Sequence, residues 1–167
     1  ILIGAPNNEE GGVASYPLPW VAGKAYAVLG SSLSEGSTLN LATDSDYAFI
    51  GKRHLVMGDW SATRLGSAVD FAGDIDGDGL DDILLGANAA VGQRKGGAYI
   101  FLSANLDGSA AMNIDDRDVV IKGSRNYEMV GSLQAGVGDI NGDGYLDLIV
   151  AHQGVGNVKV WLNSSSN

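Results

Sequence analysis

The chain has 167 residues, 45% of them hydrophobic, and a formal net charge of −10 from 20 acidic and 10 basic residues. This charge excludes a nucleic-acid partner, because phosphate binding needs clustered lysine and arginine. The absence of cysteine excludes disulfides and thiol catalysis. No apolar run approaches the roughly 20 residues that span a bilayer, so we expect no membrane insertion.

Glycine is frequent, with 25 residues in the chain. It reaches the positive φ angles that tight turns need, and this frequency indicates short strands joined by many turns. The composition therefore predicts an all-β protein, and the length is that of about one domain.

The first predicted strands lie in the N-terminal third of the chain. Residues 2–6 form a short apolar strand, residues 25–29 an alternating aromatic strand, and residues 44–50 a closing strand after a polar connection around residues 31–40. This segment has no acidic loop.

An internal repeat occupies the rest of the chain. Residues 65–102 and 130–162 match at every hydrophobic block, and each copy opens with a Gly-Ser-led strand that runs into an acidic loop. Later strands are predicted at residues 83–86, 98–102 and 119–122 in the first copy and at residues 148–151 and 158–162 in the second. The N-terminal segment repeats only the later part of this unit.

Units of this kind predict β-propeller-type blades of four antiparallel strands, because one blade cannot bury both of its faces. We expect about two and a half blades in a single region over residues 1–167. Residues 1–50 form a partial blade, residues 51–123 a blade with an acidic loop, and residues 124–167 a partial blade with a second loop. The remaining blades then come from sequence outside this segment or from another chain, since unpaired strand edges need cover.

Both acidic loops carry oxygen ligands at positions 1, 3, 5 and 9, with glycine at position 6. The predicted ligands are Asp74, Asp76, Asp78, the Leu80 carbonyl and Asp82 in the first loop, and Asp139, Asn141, Asp143, the Tyr145 carbonyl and Asp147 in the second. Calcium accepts six to eight oxygens in irregular geometry, whereas magnesium demands a small octahedron. The spacing therefore predicts two Ca²⁺ sites. Because crowded carboxylates repel one another, the cation is also expected to stabilise the fold.

The loops are not EF-hands. An EF-hand needs a bidentate glutamate at position 12, where this chain has Leu85 and Val150. An apolar strand follows each loop instead of a helix. The alternative interpretation, an Asp/Gly-rich turn without metal, is disfavoured because the pattern occurs twice at equivalent repeat positions.

These motifs resemble the FG-GAP repeats of integrin α-subunit β-propellers and their bacterial relatives. Leu65-Gly66 and Val130-Gly131 stand where the family has Phe-Gly, and Gly4-Ala5-Pro6 is an intact Gly-Ala-Pro. Both acidic loops match the calcium loop of the family. The chain departs from this pattern in places: Gly86-Ala87-Asn88 lacks the proline, Val150-Ala151-His152 lacks both the glycine and the proline, and neither Phe-Gly site retains the phenylalanine.

The resemblance implies a seven-bladed propeller in the complete protein, with calcium rigidifying hairpins at one rim. From it we expect a non-enzymatic module, extracellular or at the cell surface, that binds a protein or glycan ligand in adhesion. Calcium loops of this kind suit millimolar extracellular calcium. Two alternatives stay open: a non-catalytic propeller portion of a secreted enzyme, and a structural subunit of a surface filament or array. Motifs of common enzyme classes, such as G-x-S-x-G and the P-loop, are absent from the sequence.

Some single residues carry expectations of their own. His152 ends a strand, which favours a structural place over catalysis. Trp60 and Trp161 lie near strands and are expected to pack within blades. Trp20 lies in a proline-containing loop, where it contacts either a partner or the blade itself. The acidic run at residues 115–118 does not match the loop spacing and is expected to be a solvated turn.

Overall fold

The structure is a computed structural model that describes residues 1–8, 21–56, 59–90, 94–106, 111–154 and 156–163. For residues 53–56 and 59–61 it describes the backbone alone. The predictions for Trp20 and for the side chain of Trp60 lie outside the described residues.

Strands dominate the described part of the chain. They are β1 (Leu2–Ala5), β2 (Lys24–Ala27), β3 (Tyr47–Ile50), β4 (Arg53–Val56), β5 (Asp59–Ala62), β6 (Leu65–Gly73), β7 (Asp82–Ala87), β8 (Gly97–Phe101), β9 (Ala111–Asn113), β10 (Val119–Lys122), β11 (Val130–Gly138), β12 (Asp147–His152) and β13 (Asn157–Trp161). Short helical elements lie between them: α1 (Leu41–Asp44) and 3₁₀ turns at Gly30–Ser32, Ser103–Asn105 and Ile114–Asp116. The all-β prediction is confirmed. None of the helices in the described ranges has the length and apolar character to cross a membrane.

Three sheets have the form of blades. The first has the strand order β1-β2-β3-β9, the second β10-β8-β7-β6, and the third β11-β12-β13. We call them the first, second and third blade. A separate hairpin, β4–β5, lies between the first two blades in the sequence and was not predicted. In the second and third blades, the acidic loop joins the first strand of the blade to the next one.

The outer edge of the first blade departs from the expected antiparallel pattern. β9 comes from the connection between β8 and β10, yet it pairs in parallel with β3, with Ala48 opposite Ala111 and Phe49 opposite Met112. Met112 and Ile114 are buried against the first and second blades. The prediction that every pair is antiparallel is therefore wrong at this edge, because a connection of the second blade folds back to cover the first.

An apolar core lies between each pair of neighbouring blades. Between the first and second blades, Phe49 packs on Phe101 with ring centroids 4.8 Å apart. Between the second and third blades, Ile100 of β8 packs in one cluster with Val130 and Val150. All six residues of β7 and all five of β8 are buried, because the second blade has a neighbour on each face.

Glycines allow the blades to approach closely. A Cβ added to Gly4 would lie 2.3 Å from the carbonyl oxygen of Gly66, and one added to Gly86 would lie 2.1 Å from that of Gly131. Gly66 and Gly131 themselves have φ of +85° and +79°. The Leu-Gly and Val-Gly pairs are thus the points where each blade docks on the preceding one, in a conformation that side chains with a Cβ rarely adopt.

The third blade has an exposed outer strand. All five residues of β13 are exposed, and Trp161 retains 44% of its accessible surface. The prediction that Trp161 packs within a blade is therefore wrong. Its repeat equivalent, Phe101, is fully buried because the first blade covers it.

One predicted strand is shorter than expected. The strand predicted at residues 44–50 is β3 (Tyr47–Ile50), because Leu41–Asp44 turns as the short helix α1. The Asn40 side chain accepts a hydrogen bond from Ala42 N at 3.1 Å and caps this helix. The prediction overlooked this local cap, which competes with extension of the strand.

Candidate metal centre

The first acidic loop is organised by the carboxylate at its first position. Asp74 accepts hydrogen bonds from Gly77 N at 2.7 Å, Asp78 N at 2.9 Å and Gly79 N at 2.9 Å. Gly77 and Gly79 have φ of +83° and +90°, which side chains with a Cβ rarely adopt. The glycines therefore let the backbone wrap around Asp74 and turn its N–H groups inward.

Two further carboxylates of the first loop lie near Asp74. Asp76 accepts from Asp78 N at 3.1 Å, and Asp78 accepts from Leu80 N at 2.7 Å. One oxygen from each of Asp74, Asp76 and Asp78 lies within 4.8 Å of the others. The structure thus brings together the side chains predicted for positions 1, 3 and 5, with the Asp76 and Asp78 carboxylates exposed to solvent.

Asp82, at the ninth position, forms the base of the loop. It is fully buried, and its two oxygens accept from Ile75 N at 2.9 Å and from Ser103 N at 2.8 Å. Burial raises the pKa of the Asp82 carboxyl, and the charges of Asp76 and Asp78 raise it further. A cation beside these carboxylates would oppose that repulsion and favour the ionised form.

The second loop repeats this backbone geometry. Asp139 accepts from Gly142 N at 2.6 Å, Asp143 N at 3.1 Å and Gly144 N at 2.7 Å. These bonds, that from Gly144 above all, lower the pKa of Asp139. Asp143 accepts from Tyr145 N at 3.0 Å, as Asp78 does from Leu80 N in the first loop.

The two loops differ at the third position. Asn141 donates a hydrogen bond from Nδ2 to the Asp143 carboxylate at 3.0 Å. At the same positions the first loop has two carboxylates, Asp76 and Asp78. Asp147 keeps the place of Asp82: it is fully buried and accepts from Ile140 N at 3.0 Å and Asn163 N at 2.8 Å. Electrostatic repulsion is therefore weaker in the second loop.

The donor set of the first loop fits calcium in kind and in spacing. Oxygens bound to one Ca²⁺ lie at most about 4.6–5.2 Å apart, since each metal–oxygen bond is 2.3–2.6 Å. The carboxylate oxygens of Asp74, Asp76 and Asp78 all lie within 4.8 Å of one another, inside the range that one Ca²⁺ can bridge.

A second pair of repeated aspartates was missed by the sequence analysis. Asp46 accepts from Leu29 N at 2.7 Å, and Asp118 accepts from Leu102 N at 2.7 Å and from Asn105 Nδ2 at 2.6 Å. Both therefore close the turn that follows the third strand of the repeat unit. Asp118 is exposed, in keeping with the solvated turn predicted at residues 115–118, and aligning the repeats around these aspartates identifies its further role in closing the turn.

His152 has a structural environment. Its Nδ1 lies 2.8 Å from Glu128 Oε1, and both side chains are buried. Hydrogen bonds lower the pKa of Glu128 to about 2: the largest effect comes from Arg125 N, and Ser124 N and His152 add to it. Burial of the carboxyl raises the pKa but does not outweigh these bonds. The pair links the end of β12 to the loop that precedes β11, and neither residue belongs to an acidic loop.

Comparison with known proteins identifies the repeats. The family model described as the FG-GAP repeat matches residues 65–101 and 133–162. Integrin alpha pat-2 of Caenorhabditis elegans is 33% identical over 112 residues, which cover 67% of this chain and 9% of that protein. Integrin alpha-IIb of Mus musculus is 32% identical over 124 residues, covering 67% of this chain and 12% of that protein. The chain spans about a tenth of the length of these curated relatives.

Proposed function

Because this chain is an FG-GAP repeat protein, we propose that it is a calcium-binding, non-enzymatic scaffold that presents a binding surface in adhesion. The observation that carries the proposal is the repeated loop geometry. In both loops a first-position aspartate accepts three backbone N–H groups, and a buried ninth-position aspartate joins the loop to the end of a strand.

Calcium would be held by the oxygens at positions 1, 3, 5, 7 and 9 of each loop. The proposed ligands are Asp74, Asp76, Asp78, Leu80 and Asp82 in the first loop, and Asp139, Asn141, Asp143, Tyr145 and Asp147 in the second. Leu80 and Tyr145 would bind the ion through their backbone carbonyls, so their exposed side chains would take no part in coordination. The ion supplies positive charge that offsets carboxylate repulsion and makes both hairpins rigid.

An extracellular or cell-surface location suits this chemistry, because loops of this kind bind at the calcium concentrations found outside cells. We propose a protein or glycan as the ligand, since loops on a rigid scaffold carry most recognition residues. The exposed apolar side chains of Val158, Val160 and Leu162 on the third blade support its being covered by further blades. Those blades would come from the rest of a longer protein or from another chain.

The proposal is tested by thermal unfolding with and without calcium. Calcium at a hundredfold excess over its Kd contributes about 2.7 kcal/mol per site, which corresponds to a rise in Tm of roughly 5–10 °C. Asp78→Ala and Asp143→Ala should each remove part of this rise, because each takes away a central ligand.

The matched control is Asp81→Ala. Asp81 is an exposed carboxylate of the first loop at position 8, which is not a proposed ligand position. This variant removes the same charge as Asp78→Ala and should retain the calcium-dependent rise in Tm. A Tm that does not respond to calcium in the unmodified chain, or an equal loss in Asp81→Ala and Asp78→Ala, would contradict the proposed sites.

A further inference from the structure

The two acidic loops touch each other through a leucine. Leu146 follows Tyr145 in the second loop, and its Cδ1 would lie only 2.4 Å from a Cβ added to Gly73. Gly73 immediately precedes Asp74, the residue that organises the first loop. Gly138, the equivalent glycine of the second loop, has open space at the same position. The Leu146 side chain of the second loop thus lies against the entry of the first loop, and no described residue makes an equivalent contact with the second loop at Gly138.

A chain of hydrogen bonds also joins the two buried aspartates. Asp82 accepts from Ile75 N at 2.9 Å, and Ile75 O accepts from Asn163 Nδ2 at 3.4 Å. Asn163 N donates to Asp147 at 2.8 Å, and Asp147 also accepts from Ile140 N at 3.0 Å. The path therefore runs from the base of one loop to the base of the other and crosses from the second blade to the third.

Apolar packing holds the same region. The Ile75 side chain is half-buried and packs against the cluster between the second and third blades, which includes Leu148 directly after Asp147. At position 8 the first loop has the exposed Asp81, whereas the second loop has the half-buried Leu146. Leucine in place of aspartate at position 8 of the second loop therefore creates the contact with Gly73.

We propose that the two loops bind calcium cooperatively and that Leu146 and Asn163 carry the coupling. This inference rests on the proposed function of the loops as calcium sites. A cation that orders the second loop also fixes Leu146 against Gly73 and holds Asn163 on Ile75. The first loop then loses less conformational freedom when it binds its own cation, which raises its affinity. By linkage, the first cation raises the affinity of the second loop by the same factor.

The test follows each loop separately by NMR during a calcium titration of the full chain. The backbone amide of Gly77 reports on the first loop and that of Gly142 on the second, since each donates to the organising aspartate of its own loop. Coupling predicts that Asp143→Ala raises the calcium midpoint of the Gly77 amide by about fivefold or more. The reciprocal variant, Asp78→Ala, should raise the midpoint of the Gly142 amide by a similar factor.

Removing the contacts isolates their role. In a Leu146→Ala/Asn163→Ala background, adding Asp143→Ala should leave the Gly77 midpoint unchanged. Alanine at position 163 keeps the backbone N–H that donates to Asp147, so the base of the second loop retains this bond. Leu133→Ala, which removes a side chain 69% exposed elsewhere on the third blade, is the matched control and should preserve the fivefold effect.

The outcomes separate this inference from the proposed function. If both amides respond to calcium and Asp143→Ala leaves the Gly77 midpoint unchanged or lowers it, the coupling is wrong while the two sites stand. If Asp143→Ala still raises the Gly77 midpoint about fivefold in the Leu146→Ala/Asn163→Ala background, the assignment of the coupling to Leu146 and Asn163 is wrong. If neither amide responds to calcium, both the coupling and the calcium sites are wrong.

Discussion

The second and third blades are built from the same repeat, yet they differ in what covers them. β8 of the second blade is buried throughout, whereas its equivalent in the third blade, β13, is exposed throughout. The backbone pairing is the same, with five paired positions to the preceding strand in each blade. Local pattern therefore builds the strand, and a neighbouring blade decides whether it belongs to a core.

The largest expected difference lies at the equivalent aromatic positions. Phe101→Ala should destabilise the fold by about 3–5 kcal/mol, because the ring is fully buried against Phe49. Trp161→Ala should cost much less, because Trp161 is 44% exposed and its removal leaves no enclosed cavity. Urea unfolding of both variants measures the difference. Equal losses would contradict the exposure of the Trp161 side chain.

The glycine contact between blades gives the next difference. Gly86→Ala should cost about 3 kcal/mol, because its Cβ would lie 2.1 Å from the Gly131 carbonyl and the third blade would have to move. The equivalent residue of the third blade is already alanine, at position 151. The reverse change, Ala151→Gly, should cost only about 0.5–1 kcal/mol from the added freedom of the unfolded chain. Chemical denaturation compares the two, and a mild effect of Gly86→Ala would contradict the close docking of the blades.

The smallest difference concerns the loops that lead into the two blades. Thr63 and Glu128 are equivalent buried residues, which accept from Lys52 N at 2.9 Å and Ser124 N at 2.7 Å respectively. The pKa of Glu128 is lowered from its ordinary 4.5 to about 2, so its ionised form stabilises the fold above pH 4.5. That contribution is lost as the pH falls from 4.5 towards about 2.

The free energy of unfolding should therefore depend on pH in one variant and not in the other. Relative to the unmodified chain, Glu128→Gln should be least stable above pH 4.5, and the deficit should shrink as the pH falls towards 2. Thr63→Val removes an uncharged acceptor, so its cost should stay constant over the same range. Acid titration of both variants without calcium checks this, and a pH-independent deficit in Glu128→Gln would contradict the lowered pKa.

Much of the acidic loops could be predicted from spacing alone. Asp74 and Asp139 organise their loops through contacts that span only five residues, and the neighbouring glycines have the backbone freedom that the turn needs. Such contacts are local, so the same short motif forms the same turn in both blades. The contribution of calcium itself stays a prediction.

Other features could not be predicted because their partners lie far away in the chain. β9 pairs with β3 across about sixty residues, and its Met112 is buried in the core between the first and second blades. The exposure of Val158 and Val160 depends in the same way on the absence, among the described residues, of a blade that covers the outer face of β13. Residue propensities and hydrophobic periodicity give no information on the β9–β3 pairing or on which blade face is covered.

The sequence by itself determined the repeat, the strands, the tight turns and the clustering of carboxylates in two loops, because these depend on residues close together in the chain. Only the tertiary structure decided which blade faces are buried and that Leu146 of one loop rests on Gly73 of the other. The physical reason is that burial and contact across blades depend on how whole sheets stack. In this chain that stacking depends on single glycines, where one added methyl group would meet a carbonyl of the next blade.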